Sequence, residues 1–261
     1  MKELDKFYTK PEVVDTCLDF LNVISPIENF DTILEPSCGS GAFSSKLPKR
    51  TINLDIKPEY LDALKQDFLE YQDLHRSNGK KILTIGNPPF GRISSLAIKF
   101  FNHASLFSDT IAFIVPQTFK RISVQNKLNR NMIFVNEVDL PKGSFIPETM
   151  QAKCVFQVWR YNRVPKKKVV LKLRHKDFEF ISIPERGKAD IAIKAYGGTN
   201  DCGKIKHDFT NLNPKAYHFI KASEEVLDRF KNLSYYPLSS HTARQDSLGR
   251  SELIWLYEQK Y

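Results

Sequence analysis

Asn87-Pro88-Pro89-Phe90 closes an apolar run of Ile82, Leu83 and Ile85, and its residue types are suited to gripping an exocyclic amine on a flat ring. Asn87 supplies an acceptor oxygen at a strand end. Pro88 and Pro89 stiffen the backbone and remove two N–H donors, leaving carbonyls free to accept. Phe90 offers a π-face on which a nucleobase can stack. The same four residues would equally make a rigid proline turn capping a strand, with Phe90 in the core.

A second run, Ile33-Leu34-Glu35-Pro36-Ser37-Cys38-Gly39-Ser40-Gly41-Ala42-Phe43, has an apolar lead, an acid and two glycines among small residues. It reads as a strand turning into a helix close to a ligand, with the helix N-terminus favouring a carboxylate. The spacing does not fit the G-x-G-x-x-G dinucleotide fingerprint. Asp55 ends the next strand, Ile52-Asn53-Leu54-Asp55, where an acid commonly takes ribose hydroxyls; as a turn residue before Pro58 it would need no ligand. Asp67-Phe68 could accept from an adenine amine and stack on its ring, or be a solvated acid beside a core aromatic.

Taken in order, Phe7-Tyr8-Thr9-Lys10-Pro11, the glycine run, Asp55, Asp67-Phe68 and Asn87-Pro88-Pro89-Phe90 resemble the S-adenosylmethionine-dependent N6-adenine DNA methyltransferases of gamma-type motif order. The resemblance covers about the first 160 residues. Phe113-Ile114-Val115-Pro116 resembles the family's strand after the catalytic one, and Gly143-Ser144-Phe145 with Cys154–Trp159 its second aromatic region. It implies a class I methyltransferase fold, a Rossmann-like doubly wound, mostly parallel α/β sheet. It also implies S-adenosylmethionine as cofactor. Tyr8, Thr9 and Pro11 would shape the methionine end of its pocket. Glu35, Pro36, Cys38, Gly39 and Gly41 would hold the amino-acid portion, Asp55 the ribose, and Asp67 with Phe68 the adenine; Asn87 borders the same pocket. Asn87 and the Pro88 carbonyl would accept from the target amine, with Pro89 and Phe90 completing the catalytic run. Phe90 would stack on the flipped base, with Phe145 on its other face and Lys120 and Arg244 on the substrate. Glu35 stands where some relatives carry Asp.

That chemistry needs orientation more than a base, because two out-of-plane acceptors localise the amine lone pair and alignment alone is worth about 7–11 kcal/mol. No metal is required. His75, His103, His175, His207, His218 and His241 are scattered without ligand spacing.

The elements that must position these residues alternate. Strand-like runs lie near Thr32–Leu34, Ile52–Asp55, Ile82–Gly86 and Ile111–Val115, with helices over 11–21, 58–69 and 94–106. Alternation predicts a parallel sheet covered on both faces, with ligands at the carboxyl ends of its strands. Met132–Val138 and Lys153–Tyr161 would complete the sheet as an antiparallel pair. Val164-Pro165-Lys166-Lys167-Lys168 marks a boundary, giving a catalytic domain over 1–163 and a small basic module over 164–261. In the latter, 169–173, 178–183 and 191–196 read as strands. Its basic residues interleave with Tyr196, Phe209, Tyr217, Tyr235 and Tyr236, a mixture suited to nucleic acid, although any one of them reads more simply as ordinary surface or core. His241-Thr242-Ala243-Arg244-Gln245-Asp246 is a candidate base-reading run.

Composition agrees. The 261 residues carry a net charge of +9 and are 41% hydrophobic, with a pI near 9.2, which suits a polyanionic partner. Cys17, Cys38, Cys154 and Cys202 lie far apart, which speaks against disulfides or a zinc site and for a reducing compartment, the cytoplasm or, for a eukaryotic or viral source, the nucleus or host cytoplasm. No apolar run is long enough to span a membrane, and Met1–Lys6 has no signal-peptide character. One flipped base needs one active site, so a monomer is expected. The expected reaction is N6-adenine methylation of DNA, as in restriction-modification. The nearest alternative is the same reaction on RNA, at a messenger cap region or in ribosomal RNA. Glutamine-amide methylation and a non-catalytic nucleic-acid-binding subunit are more distant ones.

Overall fold

The computed structural model describes residues 7–72, 79–148, 152–209 and 211–261. His75 and the Met1–Lys6 segment lie outside the described residues. The chain divides into two units, Met1–Lys168 and Val169–Tyr261.

The first unit is built on strands β1 (Tyr8–Thr9), β2 (Thr32–Glu35), β3 (Thr51–Asp55), β4 (Leu64–Lys65), β5 (Ile82–Gly86), β6 (Thr110–Pro116), β7 (Met132–Asp139), β8 (Phe145–Ile146) and β9 (Cys154–Tyr161). Helices α1 (Pro11–Ile24), α2 (Ser95–Ala104) and the short α3 (Ile122–Gln125) intervene. Seven strands form one sheet in the order β4-β3-β2-β5-β6-β9-β7. The first five run parallel; β9 is antiparallel to both β6 and β7. This is the expected α/β class, with the antiparallel pair where the sequence suggested it. β1 and β8 form a separate antiparallel ribbon.

The central strands are buried throughout because both faces are covered. β2, β5 and β6 are apolar, β-branched runs with no exposed residue. Side chains alternate between two cores. Ile33, Leu83, Ile85 and Ile114 pack with Val13, Val14, Cys17 and Leu21 of α1. Leu34, Ile82, Phe113 and Val115 pack with Ala97, Phe100, Phe101 and Ala104 of α2. Pro11 starts α1 at a position where its missing N–H costs nothing.

The second unit contains strands β10 (Phe178–Ile181), β11 (Ile191–Lys194), β12 (Tyr196–Gly197), β13 (Ile205–Lys206), β14 (Tyr217–Ala222) and β15 (Asp246–Ser247). It also contains helices α4 (Glu224–Lys231), α5 (Tyr236–Ser239) and α6 (Arg250–Glu258). An antiparallel sheet of order β10-β14-β11-β13 packs Phe178, Ile191, Ile193 and Ile220 against Val226 and Phe230 of α4 and Leu253, Ile254 and Tyr257 of α6. No helix among the described residues is long and apolar enough to cross a membrane.

Three expected elements are absent. Residues 58–69 form no α-helix, only the start of a 3-10 turn at Phe68–Glu70, although Leu61 and Leu64 have helical spacing; both are exposed. The Glu59 and Tyr60 amides instead donate to the Gly39 carbonyl, and Leu64–Lys65 pairs with β3. The glycine run leads into a three-residue 3-10 turn, Ser44–Lys46, and not into an α-helix. Only nine residues separate Gly41 from β3, which begins at Thr51, and Pro48 stands among them. Residues 169–173 form no strand; Val170 and Leu173 stay exposed with no ladder partner among the described residues.

Candidate active site

β3, β2 and β5 are parallel neighbours, so Asp55, Glu35 and Asn87 emerge at the same edge of the sheet. The chain steps from β2 outward through β3 and β4, then returns to β5 on the other side. The crevice between β2 and β5 is therefore the topological switch point, where α/β sheets bind ligands.

Glu35 ends β2 and is 2% exposed. One of its carboxylate oxygens accepts from the Ser44 hydroxyl. Burial, with a smaller contribution from the Asp55 charge, pushes its carboxyl up to about 8. Gly86, at φ 151°, closes β5 beside it; a Cβ there would lie 3.2 Å from the Glu35 Cγ. Sequence reasoning passed over this glycine. Pro36 and Cys38 are buried, and burial pushes the Cys38 thiol up to about 12, so it is unreactive.

The glycine loop is closed by its own amides. Cys38 N donates to Leu54 O at 2.9 Å, Gly39 N to Asp55 Oδ2 at 2.9 Å and Gly41 N to Cys38 O at 2.8 Å. With these donors engaged and no helix following, the expected anion-favouring helix N-terminus does not form. The glycines serve local packing. Gly39 and Gly41 have φ of 53° and 90°; a Cβ on the first would meet the Tyr8 ring at 3.3 Å and on the second would fall inside the Tyr60 ring. Gly41→Ala is expected to destabilise the first unit by about 2 kcal/mol or more in chemical denaturation. Gly79→Ala, also at positive φ but with nothing within 4 Å, isolates the backbone part of that cost.

Asp55 is bonded on both carboxylate oxygens, Oδ2 to Gly39 N and Oδ1 to Lys57 N at 2.7 Å. It is a turn residue and a clamp on the glycine loop, with lone pairs left for hydroxyls. Asp67 accepts from Leu69 N at 2.9 Å. Phe68 is 1% exposed, with Phe100, His103 and Phe107 around its ring, so that ring belongs to the core and is not presented for adenine stacking.

Asn87 is the best-defined polar group of the site. Its amide nitrogen lies 3.3 Å from the Phe7 carbonyl and 3.2 Å from Thr9 Oγ1. A carbonyl can only accept, so the atom facing Phe7 must be the NH2. Oδ1 is thereby turned the other way, and it accepts no hydrogen bond among the described residues; nor does the Pro88 carbonyl. The Asn87 carbonyl accepts from Ser37 Oγ at 3.2 Å, tying this loop to the glycine loop. Thr9 is fixed in turn by the ribbon, where it pairs with Phe145, while the Lys10 amide donates to Ser144 O and Lys10 Nζ pairs with Glu148. Sequence reasoning set Thr9 beside the cofactor and missed its bond to Asn87. Tyr8 donates to Glu59 Oε2 at 2.7 Å.

Phe90 is half-buried and touches both cores, and Pro89 is half-exposed beside it. Phe145 is 3% exposed within the α1 core, so the expectation that it faces a base is not met; strand alternation exposes Ile146 instead. Lys120 is held between Glu137 at 2.9 Å and Asp139 at 2.6 Å, so its charge is neutralised within the fold and not offered to a substrate.

In the second unit, Lys194 and Lys204 pair with Asp201, and Arg250 lies over the Phe180 ring. Tyr235 is buried, its hydroxyl donating to Phe230 O, while Tyr196 and Tyr236 are exposed. Thr242 Oγ1 donates to Gln245 O at 2.8 Å, closing a turn on which Arg244 and Gln245 are exposed.

No protein-family model matches the chain, and no curated protein does. Among solved structures, a Listeria monocytogenes protein ascribed to the class I S-adenosylmethionine-dependent methyltransferases aligns over 62% of this chain and 64% of its own, at 16% identity and a TM-score of 0.48. A Pyrococcus horikoshii protein ascribed RNA-methyltransferase activity aligns over 61% of this chain and 88% of its own, at 15% identity and a TM-score of 0.46. The 23S rRNA methyltransferase ErmE aligns over 61% and 71%, at 16% identity and a TM-score of 0.44.

Proposed function

We propose that the chain transfers a methyl group from S-adenosylmethionine to the N6 amine of adenine in DNA, with the target base extruded into the site at Asn87 and Phe90. The observation that carries this reading is the orientation of Asn87. Both of its amide donors face acceptors of the N-terminal segment, leaving Oδ1 and, one residue on in the chain, the Pro88 carbonyl as unengaged acceptors among the described residues. An aromatic amine has two hydrogens and a lone pair delocalised into its ring. Two acceptors out of the ring plane favour the geometry in which that lone pair becomes localised on nitrogen.

The chain's own residues fit the cofactor. A buried carboxyl at Glu35, bonded to Ser44 but with no cationic partner among the described residues, suits a cationic amino group, which would compensate its ionised form. Asp55 keeps lone pairs for ribose hydroxyls, and Asp67 keeps them for an adenine amine. When bound, S-adenosylmethionine supplies an activated methyl group. Glu35 and Asp55 then orient, Asn87 and Pro88 hold the amine, and Phe90 supports the ring. In the second unit the exposed Arg244, Gln245, Tyr196 and Tyr236 are suited to contact with a nucleic-acid strand.

The test is methyl transfer from labelled S-adenosylmethionine to duplex DNA, single-stranded DNA and RNA, followed by nucleoside digestion and mass analysis. N6-methyldeoxyadenosine is the expected product. N6-methyladenosine from RNA alone would keep Asn87 in its role and replace the substrate; no methylated adenine from any of the three would overturn the reading. Thr9→Val should lower kcat by about tenfold while cofactor affinity, measured by calorimetry, stays the same, because one of two bonds orienting Asn87 is lost. A parallel loss of affinity would assign Thr9 to the cofactor pocket instead.

A further inference from the structure

We infer that Ile93, with Arg92 beside it, is a wedge that enters the duplex base stack when the target adenine leaves it. The inference rests on the reading that the substrate is a base in duplex DNA.

Ile93 lies three residues after Phe90 and is 79% exposed. One exposed isoleucine means little by itself. Its backbone, however, sits at φ 53°, ψ 42°, a left-handed conformation that a β-branched residue rarely adopts and that costs free energy. Such strain persists only where the surroundings enforce it, and here they do. Gly91, at φ 65°, turns the chain, and a Cβ on it would lie 2.8 Å from the Leu96 Cβ. The Leu96 and Ala97 amides both donate to the Phe90 carbonyl, at 3.1 and 3.3 Å. Ser94, also left-handed at φ 59°, is buried and shares a hydrogen bond of 2.8 Å with Thr118. Thr118 belongs to the turn after β6, so the loop is clamped between the ends of two adjacent strands.

The clamped loop gains no burial for the side chain it strains. It holds an apolar group in water at the rim of the site. Such a group can replace a stacking partner. Apolar side chains, isoleucine among them, insert between base steps, and extruding a paired base costs unstacking and unpairing that an already single-stranded base does not incur. Arg92 is exposed and has no ion-pair partner among the described residues, so it offers a cation for the adjacent phosphate.

The test uses the full chain with Ile93→Gly and Ile93→Val, on unmethylated genomic DNA supplied native or heat-denatured. Ile93→Gly should lower kcat/KM on native DNA by about 10–100-fold, and change it by no more than about twofold on denatured strands. Ile93→Val keeps the strain and part of the wedge and should fall between. Permanganate oxidation of thymines opposite the target, read without turnover, should be enhanced by the parent protein and not by Ile93→Gly. Glycine adopts φ 53° without strain, so Ile93→Gly should also raise the thermal midpoint by about 2–4 °C. Equal losses on native and denatured DNA, or unchanged activity on native DNA, would overturn the proposal. So would a lowered midpoint accompanied by loss on both substrates, which would make Ile93 a packing residue. A parent protein active only on single strands or RNA overturns the wedge while methyl transfer stands. A parent inactive on every nucleic acid removes the underlying reading before any variant is compared.

Discussion

Asn87→Ala should retain cofactor binding while turnover falls by about 10²–10³-fold, the loss typical of removing one preorganised polar contact at a reacting centre. Asn87 is half-exposed, and its side chain bonds only Phe7 and Thr9 among the described residues, so the fold should lose little. Asn87→Asp divides the role further. Aspartate keeps an acceptor for the amine but sets a second oxygen against the Phe7 carbonyl, where an N–H had been. Acceptance survives in that variant and orientation does not, so its kcat should lie between those of the parent and the alanine variant. Single-turnover rates with saturating cofactor measure both. An alanine variant that turns over at the parent's rate would remove Asn87 from the mechanism, and an aspartate variant equal to alanine would show that orientation is everything.

The ends of the central strands were legible because both faces of the sheet are buried. Runs such as Ile82–Gly86 and Thr110–Pro116 are buried along their whole length, so no exposed polar face blurs their limits. The connections were not legible, because long-range bonds decided them. Residues 58–69 have apolar spacing suited to a helix, yet the Gly39 carbonyl claims the Glu59 and Tyr60 amides, and nothing local announces that. The site divides the same way. Asn87, Glu35 and Asp55 stand at strand ends as read. What makes Asn87 an acceptor is the Phe7 carbonyl, 80 positions earlier in the chain, which can only accept and is joined to it by folding alone. Phe68 and Phe145 were misplaced for a simple reason: an aromatic in a motif and an aromatic in a core have the same side chain, and only the neighbours tell them apart. Phe68 meets three other aromatic rings, and Phe145 lies against α1.

Glu35→Gln should move stability and cofactor affinity in opposite directions. The Glu35 carboxyl titrates near 8 in the folded chain, against an ordinary value of 4.5. Between those values the folded state holds a proton that the unfolded state has released. Stability therefore falls as pH rises through that window, is least above about pH 8, and loses at most about 5 kcal/mol along the way. Glutamine cannot ionise, so the variant should lack this slope. It should match the parent near pH 4.5 and exceed it in denaturation midpoint at pH 8.5. Cofactor binding carries the opposite sign. An ammonium group beside Glu35 favours the carboxylate, so binding below pH 8 must expel the proton, and affinity should climb by about tenfold per unit from pH 6 toward 8. Above that the ligand's own α-amino group, with an ordinary value near 8, loses its charge, and affinity turns down again. The parent should thus bind most tightly near pH 8, releasing a proton at pH 7 and taking one up at pH 9. In Glu35→Gln the rise toward pH 8 should vanish and the peak affinity fall by about 10–100-fold. Calorimetry in buffers of differing ionisation enthalpy counts those protons directly. A parent that exchanges none at pH 7 would remove Glu35 from contact with the amino group and leave its burial as a cost borne for the Gly86 and Ser44 contacts alone.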